Sequence, residues 1–443
     1  MFNLNREIIL DAALLQKMIG RFNLNVKPSL EKYKNYYDGI QTILQKSYAD
    51  PSKPCNRLVI NYCKNIVDSY CGYLATPGHI SYRSDEDIEE IMDTLRYNDY
   101  QTEDNKFLEN ALIYGVAAEL MYIDAVGKTR FRTIDPTSCF GVYDDSLTGD
   151  LMYFVRMYKQ NEWDDSITYN VDVYDDSLVK HYTMSGLNGA LTFIGEEYHF
   201  FSQCPANIFI LPGEKSIFDC VMSLQDGANE LLSGEVDDYA AFCDAYLTLE
   251  GVDAEHDDIA AMKENRVLLL PVGAKAAWLT KNANDAQVEN ILNRIERNIY
   301  KVSQCVDFSS ESFTGGVSSG VAIRFKLSGM ETLAGKIEGA MKQALQRRIE
   351  IISGIAALKL GEEVFRDIQI DFKRNIPEDV ATVINMVNAL KGTVSDATLL
   401  GQLDFIQDVN AEIEAVKAQK QENMSLYSPM SFGEPEEEEE IEE

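Results

Sequence analysis

The stretch from Ser309 to Leu360 limits the fold more than any other part of the chain. Residues 309–320 read Ser-Ser-Glu-Ser-Phe-Thr-Gly-Gly-Val-Ser-Ser-Gly. Paired glycines among serines have no apolar period and cannot build a core, so the stretch predicts a loop. Its residues are Ser310, Glu311, Ser312, Phe313, Thr314, Gly315, Gly316, Val317, Ser318 and Ser319, and Phe313 is the only bulky one. Ser318 or Ser319 can cap a helix starting at the loop's end. Behind the loop, Met330, Leu333, Ile337, Met341, Leu345, Ile349, Ile352 and Ala356 recur three or four apart, the apolar stripe of a single helix. At about 1.5 Å per residue, a helix of roughly forty residues runs nearly 60 Å. That exceeds the width of a small domain. A flexible loop on such a rod suits a subunit of a large assembly better than a compact enzyme.

Length and charge narrow the class further. A chain of 443 residues exceeds one ordinary core and predicts several modules. With 45% hydrophobic residues it is globular. Its net charge of −32 excludes binding nucleic acid by general electrostatics, which needs Lys and Arg to displace counterions. The plain reading is an acidic soluble protein; the sharper one is a surface that lies near DNA without holding it. No apolar run approaches the ~20 residues that span a bilayer, and Met-Phe-Asn-Leu-Asn-Arg-Glu lacks the features of a signal peptide, so no membrane partner is expected and the protein reads as cytosolic. The eight cysteines include no Cys-x-x-Cys pair and read as buried reduced thiols.

Along the chain, Pro54 predicts the start of a helix carrying Leu58, Val59, Tyr62, Ile66, Val67 and Tyr70, ending near Pro77-Gly78. A further helix is predicted over 101–115. From 117 to 212 the pattern is short strands and turns. Val-Tyr-Asp-Asp-Ser-Leu occurs at 142–147 and again at 173–178, a strand-to-turn signal, since Asp and Ser side chains bond their own backbone in turns. Between Ser216 and Met262 there is no Lys or Arg but there are twelve acids, among them Asp226, Glu230, Glu235, Asp237 and Asp238 on a helical pattern. A second helix over 286–305 carries Val288, Leu292, Ile295, Ile299 and Val302 at alternating four and three, a coiled-coil-like seam. Between these helices, 244–285 reads as a small strand-bearing insert, with Leu268, Leu269 and Trp278 in its apolar runs. The long helix is locally basic at Arg324, Lys326, Lys336, Lys342, Arg347 and Arg348, which predicts pairing with acids of a neighbouring subunit or a weak foothold for DNA, the former favoured. Gly329, Gly335, Gly339 and Gly354 predict close helix contacts or a kink. Pro377 opens another helix ended by Gly392, and Ser395 opens one running towards Gln421. The acidic tail, 423–443, predicts disorder.

The run Phe-Thr-Gly-Gly-Val-Ser-Ser-Gly-Val-Ala-Ile-Arg-Phe-Lys-Leu-Ser-Gly-Met-Glu at 313–331 resembles the tunnel loop and long helix of tailed-bacteriophage portal proteins, most like the branch in phages of Gram-positive bacteria. Asn56-Arg57-Leu58, Ile66-Val67-Asp68 with Gly72-Tyr73-Leu74, and Gly-Thr-Val-Ser-Asp-Ala-Thr-Leu-Leu at 392–400 resemble the family's wing helix and crown. The resemblance covers roughly residues 30–422 and rests on the order of the pieces. It implies an α+β portal fold: a wing at 1–215, stem helices at 216–243 and 286–308, a clip at 244–285, a tunnel loop at 309–320, a long helix returning to the wing at 321–374, and a helical crown at 375–422. It also implies a dodecameric ring at one capsid vertex through which double-stranded DNA is packaged and ejected. The implied partners are further copies of the chain, a terminase motor, capsid and scaffolding proteins, and the head-completion or neck proteins, with assembly in the host cytoplasm. In that setting the acids of the first stem helix would repel DNA from every side and keep it centred.

Catalytic chemistry has little support. No Gly-x4-Gly-Lys-Ser/Thr loop occurs, and Thr314-Gly-Gly-Val-Ser-Ser-Gly lacks the lysine of a phosphate cradle. The four histidines are dispersed, and Ser318 and Ser319 sit in no nucleophile motif. No cofactor, metal or catalytic residue is expected. Two other classes remain open: another ring- or filament-forming structural protein, and a metal-dependent nucleic-acid enzyme built on Asp144-Asp145 and Asp175-Asp176.

Overall fold

The computed structural model describes residues 2–51, 53–76, 78–85, 87–160, 167–187, 189–242, 246–251, 272–279, 285–307, 320–360, 368–374, 387–400, 403 and 409–426. The chain forms two compact units, 1–317 with 323–375, and 318–322 with 376–443. Helices and sheets are segregated along the chain, an α+β arrangement.

The larger unit is built on a six-stranded sheet of order β1-β5-β6-β7-β8-β9. Its strands are β1 (Phe2–Leu4), β5 (Cys139–Asp144), β6 (Leu151–Lys159), β7 (Thr168–Tyr174), β8 (Leu178–Ser185) and β9 (Leu191–Tyr198). β1 joins β5 in parallel and the other four join as an antiparallel meander. The repeated Val-Tyr-Asp-Asp-Ser-Leu does what its residues predict: each copy ends a strand, and Asp144 and Asp175 accept from the backbone of the following turn (Asp150 N at 2.9 Å, Leu178 N at 2.6 Å). A three-stranded sheet of order β10-β3-β4, from β3 (Val116–Ile123), β4 (Thr129–Ile134) and β10 (Ala206–Ile210), packs on β5 and β6 through Ala118, Leu120, Cys139, Phe154, Cys204 and Ala206. Burial pushes the thiol of Cys204 up to about 12, so it behaves as a packing residue.

Helices α1 (Ala12–Arg21), α2 (Lys27–Tyr37), α3 (Tyr62–Leu74), α4 (Glu89–Tyr97) and α5 (Tyr100–Tyr114) complete the first half of this unit. α5 ends on Gly115 at φ +80°, where an added Cβ would lie 2.6 Å from the Lys215 backbone. Only glycine lets the chain turn there into β3. The predicted helix from Pro54 begins late. Asn61 caps it, accepting from Lys64 N at 3.1 Å, and residues 54–61 form neither helix nor strand.

The remaining elements are α6 (Met222–Phe242), β11 (Tyr246–Glu250), β12 (Lys275–Leu279), α7 (Asp285–Ser303), the long helix α8 (Gly320–Leu360) and β13 (Gln369–Phe372). β11 and β12 form an antiparallel pair, and β13 pairs with β2 (Ile80–Arg83). At 41 residues, α8 matches the predicted length. It buries Met330, Ile337, Met341, Leu345, Ile349 and Ile352.

In the smaller unit, Gly392 turns at φ +89° between Lys391 and Val394, which form a bridge. Ser395 Oγ accepts from Thr398 N at 3.4 Å and opens α9 (Asp396–Leu400), which buries Leu399. Of the predicted helix from Ser395 towards Gln421, the described residues show α9 up to Leu400 and α10 over Val409–Leu426; residues 401–402 and 404–408 lie outside the described residues.

Candidate functional site

The acidic helix α6 packs against α7, and its charges fall into two sets. Along one face Gln225, Asn229, Ser233 and Asp237, four residues apart, are buried. Each accepts a backbone N–H from the segment 56–62: Tyr62 to Gln225 at 3.0 Å, Ile60 to Asn229 at 2.9 Å, Leu58 to Ser233 at 3.0 Å, and Asn56 to Asp237 at 2.5 Å. The ladder has a simple metric basis. Four helical residues rise about 6 Å while two extended residues rise about 6.6 Å, so alternate amides meet successive turns. This satisfies alternate amides of that segment without a partner strand.

Asp237 is the charged end of the ladder. It also accepts from Lys46 Nζ at 3.2 Å and from the Tyr48 hydroxyl at 3.1 Å. Burial pushes its carboxyl up, but the Asn56, Lys46 and Tyr48 donors outweigh this and hold it below the usual carboxylate range. Burial likewise weighs against the Lys46 charge, and Tyr48, Asp237 and Glu230 keep it in place. Asp226 accepts from the Tyr36 hydroxyl at 2.8 Å and from Thr42 at 2.7 Å. Within the chain, then, Asp226 and Asp237 are engaged in fixing residues 36–56. Of the acids singled out in the sequence, Glu230 and Asp238 are exposed and Glu235 is half-buried.

The apolar face of α7 follows the predicted seam until its last turn. Ile299 is fully buried, and Val288, Leu292 and Ile295 are half-buried. Val302 is 50% exposed and Ser303 is buried in its stead. The helix keeps its 3.6-residue turn, so the position four after Ile299 faces inward. Ser303 Oγ donates to Ile299 O at 2.8 Å, and Tyr70 donates to Ser303 O at 3.1 Å.

The basic run of the long helix is spent mostly within the chain. Lys342 pairs with Glu338 at 2.7 Å, and Arg347 donates to Gln203 at 2.6 Å. Arg374, which follows β13, joins Glu331 and Glu338 at 2.8 and 2.6 Å. Arg348 corrects the expectation of intersubunit pairing. It is fully buried, pairs with Asp104 and with Glu119 (2.8 Å), and lies over the ring of Phe131 at 4.5 Å. Asn207 donates to Glu119 at 2.6 Å and Tyr82 to Asp104 at 3.2 Å. Burial lifts the Asp104 carboxyl above its usual range against the pull of Arg348. Among the described residues, the expected close contacts at the glycines of this helix occur only at Gly354, which Ser202 approaches; a Cβ at Gly329, Gly335 or Gly339 would meet none of them within 4 Å.

Comparison with known proteins decides what this combination belongs to. Residues 22–426 match the family described as phage portal protein, SPP1 Gp6-like. The chain is a member of the phage portal protein family. The portal protein of Bacillus phage SPP1 is 21% identical to it over 459 aligned residues, covering 95% of this chain and 88% of the relative. Portal proteins are structural proteins of the phage rather than enzymes, and the resemblance to a Gram-positive phage branch is borne out.

The remaining sequence-predicted portal residues divide by position. Ser310, Glu311, Ser312, Phe313, Thr314, Gly315, Gly316, Val317, Ser318 and Ser319 lie outside the described residues, as do Leu268 and Leu269. Trp278 lies on β12, in register with Leu247 of β11. Asp144 and Asp175 carry the turn bonds given above, and among the described residues no group of three or more His, Cys, Asp or Glu is placed to hold a metal. No helix among the described residues is long and apolar enough to cross a membrane. Sequence reasoning missed the polar ladder and the burial of Arg348. Both had a signal: polar residues every fourth position from 225 to 237, and Arg348 at the apolar spacing 341, 345, 348, 352.

Proposed function

We propose that this portal protein forms a dodecameric ring at one capsid vertex, the channel through which double-stranded DNA is packaged and ejected. The observation that carries the reading is the family match over residues 22–426, which reaches every predicted piece of a portal subunit and leaves out only the first 21 residues of the wing and most of the acidic tail. In this reading 1–215 with 321–374 is the wing, α6 and α7 are the stem, 244–285 is the clip that meets the terminase motor and later the neck proteins, 309–320 is the tunnel loop and 375–422 the crown. Capsid and scaffolding proteins surround the ring, and assembly takes place in the host cytoplasm before the protein becomes part of the virion.

The stem acids act by repulsion. Glu230, Glu235 and Asp238 repeat around a ring and present like charge to phosphate from all sides, so DNA is centred and does not stick. Asp226 and Asp237 stabilise the stem against residues 36–56 instead. The test is the mass of the purified full-length protein. Twelve chains of 49.9 kDa give about 600 kDa for a closed cyclic assembly. Mass photometry is expected to show that peak, with channelled rings in negative stain. A filament, or an assembly without a channel, overturns the reading.

A further inference from the structure

Strand β9 closes one edge of the six-stranded sheet, and no backbone bond reaches its outer side among the described residues. Its side chains are unusual for a free edge. Phe193, Ile194 and Tyr198 are 54%, 63% and 70% exposed, and Phe200 just beyond is 69% exposed. Clustered exposed apolar residues of this kind mark interaction sites. Phe200 adds an independent sign, because it sits at φ +63°, a conformation that a bulky residue rarely adopts. His199, whose Nε2 lies 3.1 Å from the Asp175 carbonyl, and the buried Phe201 anchor the backbone on either side. The left-handed residue between them stays in solvent. Backbone strain of this kind clusters at functional positions. Glu196, on the same face of β9 as Phe193 and Tyr198, accompanies the strip and is exposed, whereas Glu197 is on the other face, 3.6 Å from His181 Nε2.

Charge decides which surface covers this strip. With 72 acids against 40 bases, two copies of the chain repel unless a base-bearing surface of one meets acids of the other. The tip of the β3–β4 hairpin is such a surface. Tyr122, Ile123 and Val126 are 40%, 37% and 78% exposed there. Lys128 lies 4.2 Å over the ring of Tyr97 and has no carboxylate in ion-pair range among the described residues. Strand addition is closed off on both sides. The outer amides of β4 already donate to Asn98 (from Phe131, 3.1 Å) and Glu103 (from Thr133, 3.1 Å). Ile194 is an extra residue in the β9 register, a bulge of the kind that blocks edge pairing. The contact must therefore be made by side chains.

We infer that the β9 strip is a subunit contact and receives the β3–β4 hairpin tip of a neighbouring copy, Lys128 meeting Glu196 beside an apolar centre. Strip and tip lie on different sheets of one chain, so the contact is heterologous, repeats head to tail and is able to close as a ring. The inference deepens the portal reading and rests on it for closure.

A cross-link tests it. In a full-length Cys220→Ser background, Val126→Cys and Ile194→Cys together should give, on mild oxidation, a non-reducing ladder of chain multiples, while each single variant runs as its parent. Rings of the expected mass that give no ladder overturn the contact and leave the portal reading intact. Dimers from Ile194→Cys alone also overturn it, since two β9 strips would then face each other. The ladder itself needs no closed ring, so failure of ring mass is read separately. Glu196→Lys should lower ring yield at least about fivefold by charge conflict, and adding Lys128→Glu should restore it. An unchanged yield in the first variant overturns the charge pairing.

Discussion

Helix α6 and the long helix both bury polar groups, and they distribute them differently. α6 spreads its polarity over four rungs, each satisfied by one backbone amide of residues 56–62. The long helix concentrates its polarity in Arg348, one guanidinium held between two buried carboxylates. The ladder divides its free energy into hydrogen bonds that contribute about 0.5–1.5 kcal/mol each. The Arg348 cluster is all or none, because removing its single cation leaves two acids in an apolar interior. The first arrangement docks a segment by increments. The second fixes one helix against β3 and α5 at a single point.

The largest effect is expected at that point. Arg348→Met leaves Asp104 and Glu119 buried without a counter-charge and should cost about 3–5 kcal/mol, a large share of the 5–15 kcal/mol typical of a domain. Urea unfolding followed by near-UV dichroism measures it. Adding Asp104→Asn and Glu119→Gln should recover more than half of the loss, since neutral amides are cheaper to bury. A single variant as stable as its parent would show that the cluster carries no net interaction.

A rung of the ladder is expected to cost less. Asn229→Ala removes the acceptor for Ile60 N and the donor to Gln41 Oε1, both buried away from water. The loss should be about 1–3 kcal/mol, with amide exchange at Ile60 accelerating while that at Tyr62 and Leu58 changes little. If exchange rises along the whole of 56–62, the segment docks cooperatively and the contrast with Arg348 fails.

The sequence showed what is local. α5, the strands from 116 to 210, the acidic turns and the length of the long helix all derive from period and turn chemistry in contiguous residues. The segment 56–61 did not, because Leu58, Val59 and Tyr62 read as a helical face while the amides of Leu58 and Tyr62 are satisfied by side chains more than 160 residues away. Arg348 misled by type. A basic residue in a basic run suggests a surface, whereas its spacing from Met341, Leu345 and Ile352 placed it in the core. Val302 differs from expectation by the gap between a 3.5- and a 3.6-residue repeat: over three turns the inward position drifts to Ser303. The acids of α6 illustrate the limit of composition, since a uniform run of charge hid two faces, one facing the chain's own amides and one facing solvent.

The smallest effect separates the two helices by sign. Asp237 is held below its usual range, so its folded pKa lies under the unfolded value of about 3.9. The stability it adds is therefore complete above the unfolded value and is lost as pH falls through the folded one. Asp104 is shifted the other way by burial, so its ionised form costs stability, and that cost is relieved as pH falls through its raised folded value. Asp237→Asn should accordingly be less stable than its parent by about 1–3 kcal/mol at pH 7, with the gap narrowing as pH falls below the unfolded value of about 3.9. Asp104→Asn should show a gap that shifts in favour of the parent on acidification. Urea midpoints at pH 7, 5, 4 and 3 decide it: parallel profiles for the two variants would mean that neither carboxyl is perturbed by its helix, and that the two helices bury charge on the same terms after all.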